Sequence, residues 1–295
     1  MRIRYGNRNS HKLMRIGMSP NPEQLVAMSA NPEQLAATSA KFSESYFMEP
    51  NSGSAYHVNN YLETALLSRT YFEMAEIIER CFKPKRVLEV GCAAGPTVYH
   101  LNTYFDTEAH GIDVSAWAVQ NRLHPNIGHA TADKLPFPDG HFDVVFSCHM
   151  IEHLTTETLD ASIREMTRVC TGDGIQFHLL PILGSGPYTD IFGSIVGLRK
   201  DETHHLLHRR EWWLDRWGGA EWQDTGLRIG HVYDNHGFEF SDCQLVLSRE
   251  PVKVEICKHI AEKNLDVARA YQNALVRRPL PGLEVFLNEI RDNWK

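Results

Sequence analysis

The stretch VLEVGCAAGPTVYHL, residues 87–101, is the part of the sequence best suited to hold a small-molecule cofactor. A predicted buried strand leads into a tight turn at Gly91, and Gly95 opens a predicted helix. Small residues such as Ala93 let the backbone approach a ligand closely. A dinucleotide site uses the spacing G-x-G-x-x-G beneath a pyrophosphate, whereas the spacing here is G-x-A-x-G. Glu89 would repel pyrophosphate, so the turn favours a cofactor with a cationic amino acid group.

Two aspartates that follow this turn have the positions needed to hold a nucleoside. Asp113 closes the predicted strand AHGIDV, where a carboxylate can accept hydrogen bonds from both ribose hydroxyls. Asp133 lies in TADKLPFPDGHFDVV, just before the next strand, and is placed to accept from the exocyclic amine of adenine. Lys134 and Leu135 would lie against the adenine ring.

The run HMIEH follows the predicted strand FDVVFSC and places His149, Glu152 and His153 within one turn. Ligands of open α/β sheets bind beyond the carboxyl ends of the strands, so Ser147 and these three side chains would lie over the reactive atom. Two imidazoles and a carboxylate suit a divalent metal such as Zn, Fe, Mn or Co. A further ligand could come from a later histidine: His204, His205 or His208. The same side chains could act without metal as a general base or orienting group, or could simply pack.

Strands and helices alternate along the chain at a spacing that predicts a doubly wound α/β sheet. The predicted strands are RVLEV (86–90), AHGIDV (109–114), FDVVFSC (142–148), GIQFHLLP (174–181), HVYDNHGFEF (231–240) and DCQLVLSR (242–249). The predicted helices cover residues 61–81, 95–105, 115–122 and about 156–169. The last two strands form the antiparallel end of the sheet.

We divide the chain into three parts. Residues 1–80 form an N-terminal tail and helical cap, and they include the tandem decamers NPEQLVAMSA and NPEQLAATSA (21–40), which predict short helical turns. Residues 81–250 form the cofactor-binding domain, with a substrate insert at about 182–230. Residues 251–295 form a helical appendix.

Residues 86–180 resemble the core of class I S-adenosylmethionine-dependent methyltransferases. The resemblance rests on VLEVGCAAG, on GIDVS, and on ADKLPFPDGHFDVVFS leading into IEHL, with Ala93 where the family often has Gly. It implies a Rossmann-like, mostly parallel seven-stranded sheet with an antiparallel last strand, and methyl transfer by in-line displacement. It also implies that an N-terminal lid bears Tyr46 and Tyr56. The cofactor-binding residues expected on this basis are Glu89, Gly91, Cys92, Ala93, Gly95, Asp113, Val114, Asp133, Lys134, Leu135, Ser147, Tyr46 and Tyr56.

The run HMIEH is similar to a metal-assisted subset of this family. Quinone-pathway and small-RNA 2′-O-methyltransferases carry E-x-x-E-H at this strand end, and a later His completes their metal site. Glu152 and His153 match that pattern, and His204 or His205 lies about 50 residues downstream. Because His149 replaces the first Glu, the resemblance leaves the presence and identity of a metal open.

The resemblance and the bulk properties together predict a cytoplasmic enzyme that O-methylates a hydroxylated small molecule, such as a sugar, a glycan end or a secondary metabolite. A net charge of −7 disfavours a nucleic-acid substrate, and no apolar run is long enough to span a membrane. A homodimer is compatible with the sequence. The alternatives are a 3-amino-3-carboxypropyl transferase or cyclase that uses the same cofactor, and a non-catalytic cofactor-binding protein of the same fold.

Overall fold

A computed structural model describes residues 32–49, 61–67, 69–185, 203–228 and 243–254. In this part of the chain seven strands form one sheet. The strands are β1 (Arg86–Val90), β2 (Glu108–Asp113), β3 (Ile127–His129), β4 (Phe142–Cys148), β5 (Cys170–Leu179), β6 (Gln223–Asp224) and β7 (Gln244–Ser248). Their spatial order is β3-β2-β1-β4-β5-β7-β6.

The first five strands of this order are parallel, and the last two run antiparallel to their neighbours. β1 pairs in parallel with β2 and β4, β3 pairs with β2, and β5 pairs with β4. β7 pairs antiparallel with both β5 and β6. The predicted Rossmann-like sheet with an antiparallel end is therefore confirmed, and the carboxyl ends of β1 to β4 meet at one edge.

Helices cover both faces of the sheet. The helices are α1 (Pro32–Lys41), α2 (Glu44–Met48), α3 (Tyr61–Leu67), α4 (Arg69–Phe82), α5 (Pro96–Tyr104), α6 (Ala116–Gln120), α7 (Thr156–Val169) and α8 (Arg210–Gly218). On one face, Val87 of β1 packs with apolar residues of α4 and α5. On the other face, Leu88 packs with residues of α7 and with Trp213 and Trp217 of α8. Successive residues of β1 point to opposite faces, so this central strand is buried on both sides.

Two short strands were not predicted from the sequence, and one predicted strand begins earlier in the structure than in the prediction. β3 has three residues and β6 has two, which is too short for an apolar pattern to show. β5 begins at Cys170 and not at residue 174, because Cys170 pairs with Phe142 ahead of a register shift. The predicted strand 231–240 lies outside the described residues.

Residues 32–49, here called the N-terminal strap, pack on the carboxyl edge of the sheet. The predicted helical character of the second decamer is confirmed, since α1 begins at Pro32. The Ser115 hydroxyl donates to the Phe42 carbonyl (2.5 Å), and the Ala116 amide donates to the Ser39 hydroxyl (2.9 Å). Phe47 stacks on Trp117 with ring centroids 5.1 Å apart. These contacts hold the strap against the start of α6.

Several predictions fall on residues that the structure does not describe. They concern the first decamer, Tyr56, much of the insert and nearly all of the C-terminal appendix (residues 21–30, 56, 186–202, 229–230 and 255–295). Within the described ranges, no helix has the length and apolar character needed to cross a bilayer.

Candidate active site

A cavity opens at the carboxyl edge of the sheet, between the strand ends and the N-terminal strap. Its wall is formed by Thr38, Lys41, Phe42, Tyr46, Phe47, Val90, Gly91, Ala93, Ile112, Asp113, Val114, Ala130, Thr131, Ala132, Asp133, His149, Met150, His153, Leu154, Thr155, Thr158, Ser162, Thr203 and His205. The cavity therefore joins the predicted cofactor turn to the predicted catalytic run.

The turn after β1 has a backbone that glycine favours. Gly91 and Gly95 both have φ of +75°, in the left-handed region. The amides of Gly91 and Cys92 both donate to the Ile112 carbonyl, at 2.8 and 3.0 Å. A Cβ on Gly91 would lie 2.1 Å from Met150 Cγ. The turn therefore lies in close contact with the chain that follows β4.

Asp113 is tied to this turn from the end of β2. Its carboxylate accepts the Ala93 amide on Oδ2 and the Ser115 amide on Oδ1, each at 2.7 Å. Burial raises the pKa of Asp113, and the two amide bonds oppose that rise. Because a carboxylate has about four lone-pair sites, it can accept further hydrogen bonds on its cavity side. This arrangement suits the predicted contact with ribose hydroxyls.

Glu89 lies beneath the cavity and not in its wall. The residue is 3% exposed, and its Oε2 has no hydrogen-bond partner among the described residues. Burial, and then the charge of Asp113, raises the pKa of Glu89 well above its usual value. The predicted contact with a cationic group would offset this unfavourable environment, but Glu89 is not among the residues that line the cavity.

The loop after β3 differs in part from its prediction. Asp133 lines the cavity as predicted. Lys134 is exposed and Leu135 packs in the hydrophobic core, so neither side chain lies in the cavity wall. The Leu135 amide donates to Glu165 (2.8 Å), and Arg168 donates to the Leu135 carbonyl (3.0 Å). These bonds to α7 draw Leu135 inward, which sequence pattern alone could not show.

The run from His149 to His153, predicted to lie within one turn, does not form a continuous helical turn. His149 has φ of +50°, and only Ile151–His153 form a 3₁₀ turn. The two side chains nevertheless meet, because His149 Nδ1 lies 3.1 Å from Glu152 Oε1. Glu152 is fully buried. Burial favours a higher pKa for its carboxyl, but the hydrogen bond from His149 and the nearby imidazoles outweigh it and lower the pKa.

His153 and His204 also lie near Glu152. Glu152, His153 and His204 each offer one atom that could bind a metal, and these three atoms all lie within 4.8 Å of one another. The Thr203 hydroxyl lies 2.8 Å from His153 Nδ1. Neither His149 nor His205 belongs to this group, although both line the cavity. Of the later histidines that the sequence left open, His204 is the one that lies in this group, among the residues that the structure describes.

Other expected residues support the cavity without lining it. Cys92 and Gly95 lie within the turn, and Ser147 points into the protein, where its hydroxyl lies 2.9 Å from His178 Nδ1. Trp217 Nε1 donates to Gln176 Oε1 (2.8 Å), and His178 Nε2 lies 3.0 Å from the same oxygen. His178 Nε2 therefore donates, and its Nδ1 accepts from Ser147.

The hydroxyl-bearing part of the wall was missed in the sequence analysis. It consists of Thr38, Thr131, Thr155, Thr158, Ser162 and Thr203. Single Thr and Ser residues carry no spacing signal, and only the folded chain brings them together.

Residues 88–177 match the family described as a methyltransferase domain. Ajmaline N-methyltransferase from Rauvolfia serpentina is 35% identical over 99 residues, which are 30% of this chain and 33% of that protein. Malonyl-[acyl-carrier protein] O-methyltransferase from Geobacter sulfurreducens is 27% identical over 173 residues, 54% of this chain and 61% of that protein. The chain thus spans about a third of the first relative and less than two thirds of the second.

Among solved structures, a SAM-dependent methyltransferase from Archaeoglobus fulgidus aligns with a TM-score of 0.46 and 18% identity, over 55% of this chain and 73% of that one. The family match covers β1 to β5, the same segment that carries the turn, Asp113 and the catalytic run. The segment from Leu88 to Phe177, which carries the turn and Asp113, is therefore similar to a methyltransferase domain.

Proposed function

We propose that this protein transfers the methyl group of S-adenosylmethionine to a hydroxyl group of a small molecule. The observation that carries this proposal is His149, which lines the same cavity as Asp113 and lies within hydrogen-bond distance of the buried Glu152. A neutral hydroxyl has to lose its proton as it attacks a methyl group, so a positioned base favours this class of acceptor.

Cofactor binding is assigned to the predicted residues that line the cavity. Asp113 would accept from the ribose hydroxyls, and the turn from Gly91 to Ala93 would let the backbone approach the amino acid group. Tyr46, which is 8% exposed and lines the cavity from the strap, would exclude water. When bound, S-adenosylmethionine supplies an electrophilic methyl group. The main contribution of the protein is then to hold the acceptor in line with it.

His149 is the proposed base and Glu152 its positioning partner. Because its pKa is lowered, Glu152 is a carboxylate at neutral pH. Its Oε1 can therefore accept a hydrogen bond from the Nδ1–H group of His149. That contact leaves Nε2 of His149 with a lone pair that can take the acceptor's proton. Positioned bases of this kind contribute roughly 10²- to 10⁴-fold to rate.

A metal-assisted version of the same reaction is the second candidate. Glu152 Oε2 is buried and has no hydrogen-bond partner among the described residues, and it lies near His153 and His204. One carboxylate and two imidazoles fit Zn, Mn, Fe or Co. Glu152, His153 and His204 would hold such an ion, which would lower the pKa of a bound hydroxyl.

The test is product analysis with labelled S-adenosylmethionine and a panel of hydroxylated acceptors. Release of S-adenosylhomocysteine with a methylated hydroxyl is expected. Methylthioadenosine as the product would indicate aminocarboxypropyl transfer, and the absence of any product would indicate a binding protein. Methylation of amines alone would refute the choice of hydroxyl acceptors.

Variants then separate the two candidate mechanisms. His149→Gln should lower kcat at least 100-fold while the affinity for S-adenosylhomocysteine stays within about twofold. His124→Gln, outside the cavity wall, is the matched control and should keep full activity. If His204→Gln and exhaustive chelation both leave turnover unchanged, the metal candidate is wrong.

A further inference from the structure

Lys41 places a permanent positive charge in the wall of the cavity. The residue ends α1, and it lines the cavity together with Thr38, one turn earlier on the same helix. Among the described residues, the Lys41 ammonium forms neither a hydrogen bond nor an ion pair. An ammonium group has three N–H donors and no acceptor, so an anion is the ligand group that it favours most.

Lys41 lies next to the residue that joins the strap to the catalytic run. The Phe42 ring packs edge-to-face on His153, with ring centroids 5.7 Å apart. The Thr203 hydroxyl lies 2.8 Å from His153 Nδ1, so the insert meets the run there as well. Phe42, His153 and Thr203 thus bound the part of the cavity that we call the acceptor half. Because lysine carries its ammonium on a flexible four-carbon stem, Lys41 can reach a ligand in this half.

The charges of the wall divide between its two halves. The two carboxylates, Asp113 and Asp133, belong to the strand end and the loop assigned to the nucleoside. Beside the catalytic run, the titratable side chains of the wall are three imidazoles: His149, His153 and His205. Glu152 is fully buried behind them and lies within hydrogen-bond distance of His149. The acceptor half therefore presents positive or neutral groups to a ligand.

We infer that the acceptor carries an anionic group, a carboxylate or a phosphate, which Lys41 binds while the hydroxyl of the acceptor meets His149. The Thr38 hydroxyl, on the same face of α1, can donate a second hydrogen bond to this anion. Hydrogen bonds between charged groups are about twice as strong as neutral ones, so Lys41 determines specificity for the acceptor. This substrate class rests on the proposed function.

The test pairs each anionic acceptor with a neutral counterpart, such as para-hydroxybenzoate with para-hydroxybenzamide and glycerol phosphate with glycerol. With wild type, kcat/KM should be at least about 10-fold higher for the anionic member of a productive pair. The pair that is productive shows whether the anion is a carboxylate or a phosphate. Equal or better turnover of the neutral members would overturn the inference.

The variant Lys41→Met removes the charge and keeps most of the length of the side chain. It should lower kcat/KM for the anionic member about 10- to 100-fold, mainly through KM, and change that for the neutral member less than about twofold. Lys41→Arg should keep the preference for the anion. Lys85→Met is the matched control, because Lys85 is exposed and precedes β1 at the opposite edge of the sheet. It should leave both members unaffected.

Other roles for Lys41 give different results. A lysine that only stabilises the last turn of α1 through the helix dipole would lower Tm in Lys41→Met and change both members of a pair equally. A lysine that binds the carboxylate of the cofactor would weaken S-adenosylhomocysteine binding in calorimetry. Either result would show that the inference is wrong.

A binding measurement on the complex with S-adenosylhomocysteine tests Lys41 without turnover. Inorganic phosphate and benzoate are titrated separately, by NMR, into the complexes of wild type and Lys41→Met. At least one anion should bind wild type about 10-fold more tightly than the variant, and equal binding of both would contradict the inference. If the anions distinguish the two proteins but no acceptor is methylated, the proposed function fails and the anion site stands.

Discussion

A methyl group added at Gly91 should strongly destabilise the cofactor turn. Its φ is +75°, and an added Cβ would lie 2.1 Å from Met150 Cγ and 2.7 Å from Met150 Cβ. Met150 cannot easily withdraw, because its Cβ is attached directly to the backbone beside His149. Gly91→Ala should therefore strain the turn and also displace the chain that carries the proposed base.

Gly140 provides a control with the same backbone requirement and no steric conflict. Its φ is +58°, and a Cβ there would meet nothing within 4 Å. Gly140→Ala should cost about 1 kcal/mol, the penalty of a left-handed backbone for a residue with a Cβ. Gly91→Ala should cost that amount plus about 1–3 kcal/mol for overpacking. The expected difference between the two variants is therefore about 1–3 kcal/mol.

The assay is urea denaturation of both variants at 25 °C, with the free energy of unfolding extrapolated to water. Adding Met150→Ala to Gly91→Ala should recover part of the loss, since the atom at 2.1 Å is removed while Cβ remains. Equal free energies for Gly91→Ala and Gly140→Ala would refute the steric reasoning. Full additivity of the Gly91 and Met150 substitutions would refute it as well.

Three further predictions concern the residues that support the site. Arg168→Lys should lower the free energy of unfolding by about 1–3 kcal/mol in urea denaturation, because lysine cannot reproduce the bonds to Glu165 and to the loop carbonyls; an unchanged value would contradict this. Burial lowers the pKa of His178 to about 3. As pH falls, the imidazole of the unfolded chain is therefore protonated at a higher pH than that of the folded chain. Stability should therefore fall, as pH drops from about 6.5 toward 3, by up to about 1.4 kcal/mol per unit. His178→Gln should make the free energy of unfolding, measured by denaturation at pH 4.5, 5.5 and 7, depend less steeply on pH. The same pH dependence in the variant and the wild type would count against the assignment. Ser115→Ala should cost about 1–2 kcal/mol, because the hydroxyl caps α6 and bonds the strap; thermal melting would show this as a lower Tm.

The predictable parts of the fold are the strands and helices whose residues form a run or a periodic pattern in the sequence itself. β1 and β4 are largely buried on both faces, so they appear in the sequence as mostly apolar runs. β3 and β6 carry no such signal, because three and two residues are too few for a periodicity. The pairing of β6 with β7 depends on contacts between segments distant in the chain.

The site shows the same division between local and distant information. Asp113 closes a predicted strand and Asp133 precedes another, and the topology then brings both to the cavity wall. Lys134 and Leu135 were misplaced because their orientation depends on bonds from Glu165 and Arg168, about thirty residues away. The choice of His204 over His205 likewise depends on the path of the insert, which no local pattern encodes.

The strap contact has a practical consequence for shortened versions of the protein. Tyr46 and Phe47 pack against Ala93 and Ala94 of the turn. A fragment starting near residue 84 would retain the seven strands that the structure describes, yet it would expose this apolar patch to water. We expect such a fragment to self-associate, so removing the strap is a poor route to a well-behaved sample.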